Sequence, residues 1–325
     1  MKEWRVMSGE WRVEDTFCFD ISRTQIEVTG RDRVKFLHSF CTNDIKKLQP
    51  GQGCEAFVTN VNGKVLGHIF VFAERDSLWL DSVGGSASAA LLPHFDKYVI
   101  TEDVRFTDRS AEFAEFLLAG SLSTELLERL GLSVSSLPRY GHLSHGSDAL
   151  SLRSLRRVDW FDSPTWLLSI PVGQRDEVQR ALTQAGVREA DNDEVHALRI
   201  AAGFPIYGID ITEDNLAQEV GRTELAISFT KGCYLGQEPI ARIDAMGHVN
   251  RRLCRLELSS GPLPDSGTLI LDKPAPDGKP IGTITSSAWK WRGDADKPLA
   301  LAYLRSGFAK SGSQVIVDGR ETKVF

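Results

Sequence analysis

Short apolar strands separated by Gly, Pro and Asp turns fill the last part of the chain, and this pattern constrains the fold more than any other feature. Runs of this kind occupy 253–258, 269–271, 281–286 and 299–304. Short strands at such spacing are typical of a small β-barrel or sandwich. We therefore predict two regions, an N-terminal region at 1–247 and a C-terminal β-barrel domain at 248–325.

The N-terminal region mixes strand and helix patterns. Residues 25–30 alternate apolar and polar side chains, and Asp32 can cap the helix predicted after them. The Asn62-Gly63 pair joins two apolar runs and is a strong signal for a β-hairpin. Asp191 and Glu194 have the spacing of a capping box at the start of a later helix. Together these patterns predict an α+β fold of antiparallel sheets with helices on one face.

The composition and charge of the chain disfavour a membrane protein and a nucleic-acid-binding protein. The chain has 325 residues, an apolar fraction of 42% and a formal net charge of −6, which is ordinary for a globular protein. No apolar run approaches the ~20 residues that a membrane span needs, and acids rather than an apolar signal core follow Met1. We expect a cytoplasmic protein without a membrane partner. The negative charge disfavours direct nucleic-acid binding, because proteins that hold RNA through its phosphates are usually basic.

Neither the cysteines nor the histidines have the spacing of a metal site. The cysteines are Cys18, Cys41, Cys54, Cys233 and Cys254. Their number is odd and no two form C-x-x-C, so neither a disulfide framework nor a zinc site is predicted. His142 and His145 lie in Gly/Ser-rich sequence without other ligands nearby, and a solvated loop is favoured there over a metal site.

The segment 227–238 carries the clearest chemical signal. It reads Ile-Ser-Phe-Thr-Lys-Gly-Cys-Tyr-Leu-Gly-Gln-Glu and places Cys233 in a glycine-flanked turn. We predict a short apolar strand before the turn and a helix from Pro239. Lys231 would lower the pKa of the Cys233 thiol by its charge, which makes Cys233 a candidate catalytic thiol and Lys231 its activator. The alternative is a small buried cysteine in a tight turn beside a solvated lysine.

The block from Lys231 to Glu238 closely resembles the signature of the YgfZ-like family, the folate-binding relatives of the glycine-cleavage T-protein in the GcvT superfamily. The resemblance covers most of the chain and is also carried by the segments 199–205, 208–216, 218–219 and 247–252. It implies two interleaved α+β modules and a C-terminal β-barrel in a ring-like arrangement around a central folate pocket.

The resemblance also implies tetrahydrofolate as the cofactor and a set of residues that bind it. Glu219 matches the T-protein glutamate that holds the amino-pyrimidine edge of the pterin. Arg251 and Arg252 lie where the family offers an arginine to the folate or to its glutamyl tail, and the sequence does not tell which of them points inward. Asn60 is a weaker candidate for the pterin edge. No metal ligands are implied.

One departure from the family pattern bears on the activity. T-proteins have an Asp-Asp pair just after the hairpin, where this chain has Gly67-His68. Neither residue supplies the carboxylate that would activate an amine, and His68 is interpreted as a structural or solvent-facing strand residue. The resemblance thus favours a folate-binding accessory protein that supports iron–sulfur cluster assembly or repair, with iron–sulfur enzymes or assembly factors as partners. The alternatives are a tetrahydrofolate-dependent aminomethyl or one-carbon transferase, and a tRNA-modification factor.

Overall fold

The computed structural model describes residues 16–85, 87–144, 150, 152–161, 163–289 and 297–325. The strands that precede the barrel are β1 Phe17–Asp20, β2 Arg23–Thr29, β3 Gly53–Thr59, β4 Val65–Ala73, β5 Leu78–Val83, β6 Arg105–Asp108, β7 Phe113–Ala119, β8 His142–Ser144, β9 Ser154–Arg157, β10 Thr165–Pro171 and β11 Arg188–Glu189. The helices are α1 Arg33–His38, α2 Ala87–Asp96, α3 Ser123–Arg129, α4 Arg175–Gln184, α5 Asn192–Ala201, α6 Thr223–Ala226 and α7 Gln237–Met246. The barrel strands are β12 Arg251–Leu258, β13 Leu269–Leu271, β14 Pro280–Trp289, β15 Pro298–Arg305, β16 Gln314–Val317 and β17 Arg320–Val324.

Two sheets and a closed barrel organise these elements. The first sheet has the strand order β3-β4-β5-β2-β6, and the second has the order β11-β1-β7-β10-β9-β8. The predicted hairpin is confirmed, since β3 and β4 pair antiparallel on either side of Asn62-Gly63. The barrel closes in the order β12-β15-β14-β13-β16-β17. The α+β fold class with antiparallel sheets, helices and a C-terminal barrel is therefore confirmed, although β1 and β11 pair in parallel.

The two sheets pack face to face, and helices cover their outer faces. Alternate residues of β4 show this arrangement: Phe70 contributes to the core between the sheets, whereas Ile69 packs under α1 and α2. In β7, Leu117 faces the same central core, and Phe116 faces α3 and α4. Because both faces of each sheet are covered, these strands read as continuous apolar runs rather than as clean alternation.

Four buried charges lie between the two sheets. Arg23 on β2 binds Asp81 on β5 at 3.1 Å and Glu115 on β7 at 2.8 Å, and Arg156 on β9 pairs with Asp81 as well. Burial and the charge of Asp81 raise the pKa of Glu115 to about 7, although the charges of Arg23 and Arg156 act to lower it. These ion pairs link β2 and β5 of the first sheet to β7 and β9 of the second, so the cluster helps to fix how the two sheets meet.

Helix α5 joins the second sheet to the barrel. Its side chains Ile200 and Ala201 pack against Leu301 of the barrel. Arg199, which is buried, donates to Asp210 at 2.6 Å, and Asp210 in turn accepts from the Ser286 hydroxyl of β14 at 2.5 Å. Asp210 is therefore structural, because it anchors α5 on the barrel. The N-cap predicted at Asp191 is confirmed by its bond from the Glu194 backbone N–H at 2.8 Å.

Several local predictions are wrong. Helix α6 ends at Ala226 and no strand occupies 227–230, because this segment crosses the end of α1 instead of joining a sheet. Helix α7 begins at Gln237, two residues before the predicted start. Asp32 is the N-cap residue of α1, as predicted, but its side chain accepts from the Asp103 backbone N–H instead of from α1.

The solvated loop predicted at His142 is not found, whereas the described helices agree with the prediction that no segment spans a membrane. His142 is buried on β8, where a solvated loop was predicted, and His145 lies outside the described residues. None of the described helices is long and apolar enough to cross a membrane. The division into 1–247 and 248–325 and the cytoplasmic location stay predictions.

The buried His142 gives the fold a testable dependence on pH. Burial, reinforced by the charge of Arg156, lowers its pKa from the ordinary 6.5 to about 4. As the pH falls below 6.5 the unfolded chain takes up a proton that the folded chain refuses, so stability present at neutral pH is lost towards pH 4. We expect His142→Phe, which keeps a ring against Phe72, to remove up to about 3 kcal/mol of this acid destabilisation.

The measurement is urea unfolding of the wild type and the variant between neutral and acidic pH. His248→Phe is the matched control, because His248 is exposed. Identical pH dependence in the wild type and in His142→Phe would contradict the prediction.

Candidate functional site

Lys231 holds the loop that carries Cys233 onto the end of α1. The Lys231 Nζ donates to the backbone oxygens of His38 at 2.5 Å, Cys41 at 2.6 Å and Asn43 at 2.9 Å. The side chain is only 7% exposed, and burial lowers the pKa of the ammonium. Carbonyls at the end of a helix have no intrahelical partner, and an ammonium has three donors to give them. Lys231 therefore binds the last carbonyl of α1 and two carbonyls of the segment that follows the helix.

We call residues 231–236 the cysteine loop, and its C-terminal end is fixed as firmly as Lys231. The Leu235 N–H donates to the Ser39 oxygen at 2.9 Å, and the Thr59 hydroxyl donates to the Leu235 oxygen at 2.8 Å. Gly236 has a φ of +83°, and a Cβ there would lie 2.4 Å from the backbone oxygen of Asn60. Only glycine fits this close approach, so the loop rests directly on the hairpin turn between β3 and β4.

Cys233 is exposed at the crest of this loop. Cys18, Cys41 and Cys254 are buried and Cys54 is partly covered, so Cys233 is the accessible thiol among the cysteines. The prediction that Lys231 activates Cys233 finds no support in the contacts. All three ammonium donors of Lys231 are used on backbone oxygens, which leaves none for the sulfur. Among the described residues no group of three or more His, Cys, Asp or Glu side chains could hold a metal ion.

A buried carboxylate, Glu55, connects the first sheet to the segment before the cysteine loop. It accepts from Arg222 Nε at 2.7 Å, from His68 Nε2 at 2.7 Å and from the Tyr140 hydroxyl at 2.5 Å. Burial alone would raise the pKa of Glu55, but the charge and hydrogen bonds of Arg222 and His68 hold it well below its ordinary value. Tyr140 keeps a φ of +62° to make this contact, a conformation that is uncommon for an aromatic residue.

This network explains the residues found where T-proteins have acids. Gly67 leaves space that Leu91 fills, since a Cβ there would lie 2.9 Å from Leu91 Cδ2. His68 is 3% exposed and is surrounded by the rings of Phe57, Phe70 and Phe204. Its solvent-facing interpretation is wrong, and its structural interpretation fits its contacts. Because its ring is bonded to Glu55, His68 helps to hold this centre together.

A cavity of about 420 Å³, here called the first cavity, opens between α6 and the end of α7. Its polar lining includes Gln218, Arg222, Glu224, Asp244 and Arg252. The Gln218 amide donates to the Ile240 oxygen at 2.8 Å, which fixes the orientation of the amide. The Gln218 Oε1 is buried and has no hydrogen-bond partner in the described structure. A buried acceptor without a donor is unfavourable for the free energy of folding. An N–H group of a ligand in the first cavity would supply the missing donor.

A second cavity, of about 390 Å³, adjoins the first. The two share Gly221, Arg222 and Arg252 in their linings. The second cavity extends between α5 and the barrel, where it is also lined by Gly203 and Arg255. The combined volume of the two cavities lies within the range that is typical of small-molecule sites in proteins.

The structure separates the two candidate arginines. Arg251 Nε donates to Glu219 at 3.0 Å and its NH2 group donates to the Asp214 oxygen at 2.9 Å. Arg252, the next residue on β12, lines both cavities. Arg252 is therefore the residue that faces the cavities, and Arg251 pairs with the predicted ligand residue Glu219.

Asn60 and Cys233 lie apart from these cavities. The Asn60 Oδ1 accepts from the backbone N–H groups of Asn62 at 2.9 Å and Lys64 at 3.2 Å, so its side chain builds the hairpin turn. Cys233 precedes the first turn of α7, whereas the first cavity is lined from Ile243 onward. Since a ten-residue helix is about 15 Å long, the thiol and the first cavity lie near opposite ends of α7.

Sequence reasoning missed Gln218, Arg222 and Arg255. Gln218 stood in the quoted Gln218-Glu219 pair, but its role depends on the Ile240 oxygen, 22 residues further along the chain. Arg222 is bound by Glu55 across 167 residues. No local pattern reveals such partners. Arg255 could have been considered, because it lies within the predicted strand 253–258, three residues after Arg252.

Two domain models define the family. The model of the GCVT N-terminal domain matches residues 11–231, and the model of the glycine cleavage T-protein C-terminal barrel domain matches residues 251–324. Because the first match alone covers well over half of the chain, the protein belongs to the glycine-cleavage T-protein (GcvT) family. The YgfZ-like branch of that family stays a prediction.

Relatives within the family are transferases by name. A putative chloroplastic transferase of Arabidopsis thaliana is 28% identical over 299 residues, which cover 90% of this chain and 66% of the relative. An aminomethyltransferase of Thermoanaerobacter pseudethanolicus is 23% identical over 91% of this chain and 80% of its own. The crystal structure of the glycine cleavage system aminomethyltransferase T from Bartonella henselae superposes with a TM-score of 0.83 at 19% identity, covering 96% of this chain and 85% of that chain. This last similarity shows that the fold is shared.

The role of Lys231 can be tested by removing its charge. We expect Lys231→Met to lower the free energy of unfolding by about 2–4 kcal/mol, because buried backbone oxygens lose their donor. Lys46→Met, at an exposed lysine near the same helix end, is the control. Urea unfolding at neutral pH measures both. Unchanged stability in Lys231→Met, combined with a higher pKa of the Cys233 thiol, would restore the activating role predicted from the sequence.

The exposure of Cys233 predicts selective labelling of the folded protein. A small aromatic disulfide reagent should modify one thiol of the native chain at least about ten times faster than the other four, because buried thiols react slowly. Cys233→Ser should lose this fast phase, and Cys254→Ser should keep it. A fast phase that survives in Cys233→Ser would show that another cysteine is the accessible one.

Proposed function

We propose that this protein binds tetrahydrofolate in the two adjoining cavities and acts as a folate-dependent one-carbon transferase. The observation that carries the proposal is the unpartnered Gln218 Oε1 in a cavity that Arg252 also lines. Both regions of the chain match domain models of the glycine-cleavage T-protein family. Its relatives are aminomethyltransferases and a putative transferase. These names favour a transferase over the accessory role that the sequence pattern favoured.

The residues in the cavities fit the chemistry of tetrahydrofolate. Its pterin head carries an amino group and ring N–H groups, for which the Gln218 Oε1 is an unused acceptor. Its tail carries carboxylates, for which the Arg252 guanidinium is a suitable partner. Glu219 forms an ion pair with Arg251. In this proposal the pair supports the cavity wall next to Gln218, and Glu219 is not the main contact of the ligand.

Bound tetrahydrofolate would supply the nitrogen that accepts the one-carbon unit. The chain would contribute binding, orientation and a proton acceptor. His68 is unsuitable as that acceptor because its side chain is buried and lines neither cavity. Glu224 and Asp244 are the carboxylates that line the first cavity, and we propose that one of them takes the role that the Asp-Asp pair has in T-proteins.

A second candidate is the accessory role in iron–sulfur cluster assembly or repair. The exposure of Cys233 supports it, because the other cysteines are covered and a thiol must be accessible to meet a cluster or a protein partner. In this role, bound tetrahydrofolate and the thiol would act at opposite ends of α7. Iron–sulfur enzymes or assembly factors would then be the partners.

Binding of tetrahydrofolate is the first test. We expect saturable binding to the full chain by calorimetry, weakened by about tenfold or more in Arg252→Gln, since a hydrogen bond to a charged group is typically worth ~1.5–3 kcal/mol. Arg242→Gln, at an exposed arginine of α7 that lines neither cavity, should bind like the wild type. Absence of binding by the wild-type protein would refute the proposed function.

Turnover then separates the two candidates. A transferase should convert an aminomethylated donor in the presence of tetrahydrofolate, and Glu224→Gln or Asp244→Asn should lower kcat while Cys233→Ala keeps it. An accessory factor should show no turnover, and Cys233→Ala should fail to restore iron–sulfur enzyme activity in cells that lack the protein. Restored activity with Cys233→Ala would refute the accessory role of the thiol.

A further inference from the structure

The cysteine loop joins two parts of the surface that are far apart in the sequence. At one end, the Ser228 N–H just before the loop donates to the Thr42 oxygen at 2.9 Å, in the segment that follows α1. At the other end, a Cβ on Gly63 of the hairpin turn would lie 3.3 Å from the Pro239 Cβ, just after the loop. The exposed Cys233 lies between the two ends. We call this surface the thiol face, with an α1 end at 42–47 and 228–230 and a hairpin end at 60–64 and 238–239.

Each end of the thiol face exposes one large apolar side chain. Phe229 at the α1 end is 44% exposed, and Val61 at the hairpin end is 61% exposed. A single exposed apolar residue is ordinary on the surface of a monomer. Two of them on either side of a thiol, on segments that the backbone contacts hold in place, form a surface that gains from being covered by another protein.

The two ends also carry unpaired charges of opposite sign. Lys46 at the α1 end is exposed and forms no ion pair with a carboxylate of the described residues. Glu238 at the hairpin end is likewise exposed, and no described cation pairs with it. The thiol face is therefore positive at one end and negative at the other. Its remaining charged side chains neutralise each other in pairs, Lys47 with Asp44 at 3.0 Å and Lys64 with Asp214 at 3.7 Å.

A face of this kind is complementary to itself. Around a two-fold axis the α1 end of one copy lies opposite the hairpin end of the other, and each contact occurs twice. Phe229 of each copy then meets Val61 of the other, and Lys46 meets Glu238. We infer that two copies of this chain associate through the thiol face, with their Cys233 thiols next to each other at the axis. A partner with charge of one sign would match only one end of the face.

This association goes beyond the proposed function, because it controls access to the thiol. Cys233 is covered in the dimer, whereas the first cavity lies near the other end of α7 and stays open. The thiol face is small, so the dimer is a weak and reversible one, at the low end of specific interfaces below about 1,200 Å². The free thiol therefore belongs to the monomer.

Analytical ultracentrifugation of the full, reduced chain tests the inference. The wild type should form dimers as its concentration rises. Lys46→Glu and Glu238→Lys should each weaken the association about tenfold or more, because like charges then meet twice in every dimer. An equimolar mixture of the two variants should associate again, since both contacts of the mixed dimer join opposite charges. Lys310→Glu, at an exposed lysine outside the thiol face, is the matched control and should associate like the wild type.

A second measurement follows the thiol itself. A short bismaleimide should link wild-type chains into covalent dimers, and Cys233→Ser should abolish this product. The labelling of Cys233 by an aromatic disulfide should slow as the protein concentration rises, and Phe229→Ser should remove this dependence because it weakens the dimer.

A wild-type chain that stays monomeric at ~1 mM would overturn the inference. Dimers that form equally well in both charge variants would overturn it too, because another face would then join the copies. The same holds for a mixture of the two variants that associates no better than either variant alone.

Discussion

The arrangement of this protein depends on one buried carboxylate. Glu55 has no exposed surface, and it brings together His68 from the first sheet, Tyr140 from the loop before β8 and Arg222 from the segment that leads into α6. Without Arg222 the carboxylate would be an uncompensated charge in the core, which is strongly unfavourable. The pairing thereby fixes the floor of both cavities, since Arg222 lines each of them.

The parts of the fold that depend on local sequence could be predicted. The Asn62-Gly63 turn requires a tight hairpin, and the short strands after Arg251 form the predicted barrel. The errors lie where tertiary contacts override local pattern. The apolar residues around Ile227 resemble a strand, yet Ser228 bonds to the Thr42 oxygen and the segment crosses the end of α1. His142 sits in polar sequence, but its side chain packs against the ring of Phe72 and is buried.

The candidate site was predicted less well, for a related reason. The family resemblance pointed to the segments 218–219 and 247–252, and Arg252 lines both cavities. It could not tell that Glu219 and Arg251 bind each other, or that the ammonium donors of Lys231 are used on backbone oxygens. Those assignments depend on which partner each charged side chain reaches. Gln218 shows the same limit, since the carbonyl that orients its amide lies in α7.

The contact at Gly236 links two segments that are far apart in the sequence. No side chain fits at this position, because the Asn60 oxygen and the Thr59 side chain already occupy the space. The cysteine loop and the hairpin turn must therefore change together in evolution: a longer or differently shaped turn would push the loop aside. Among homologues, the geometry of the turn after β3 should covary with the residues around Cys233. A change of turn type would mark lineages in which the thiol has acquired a different orientation, or has lost its role.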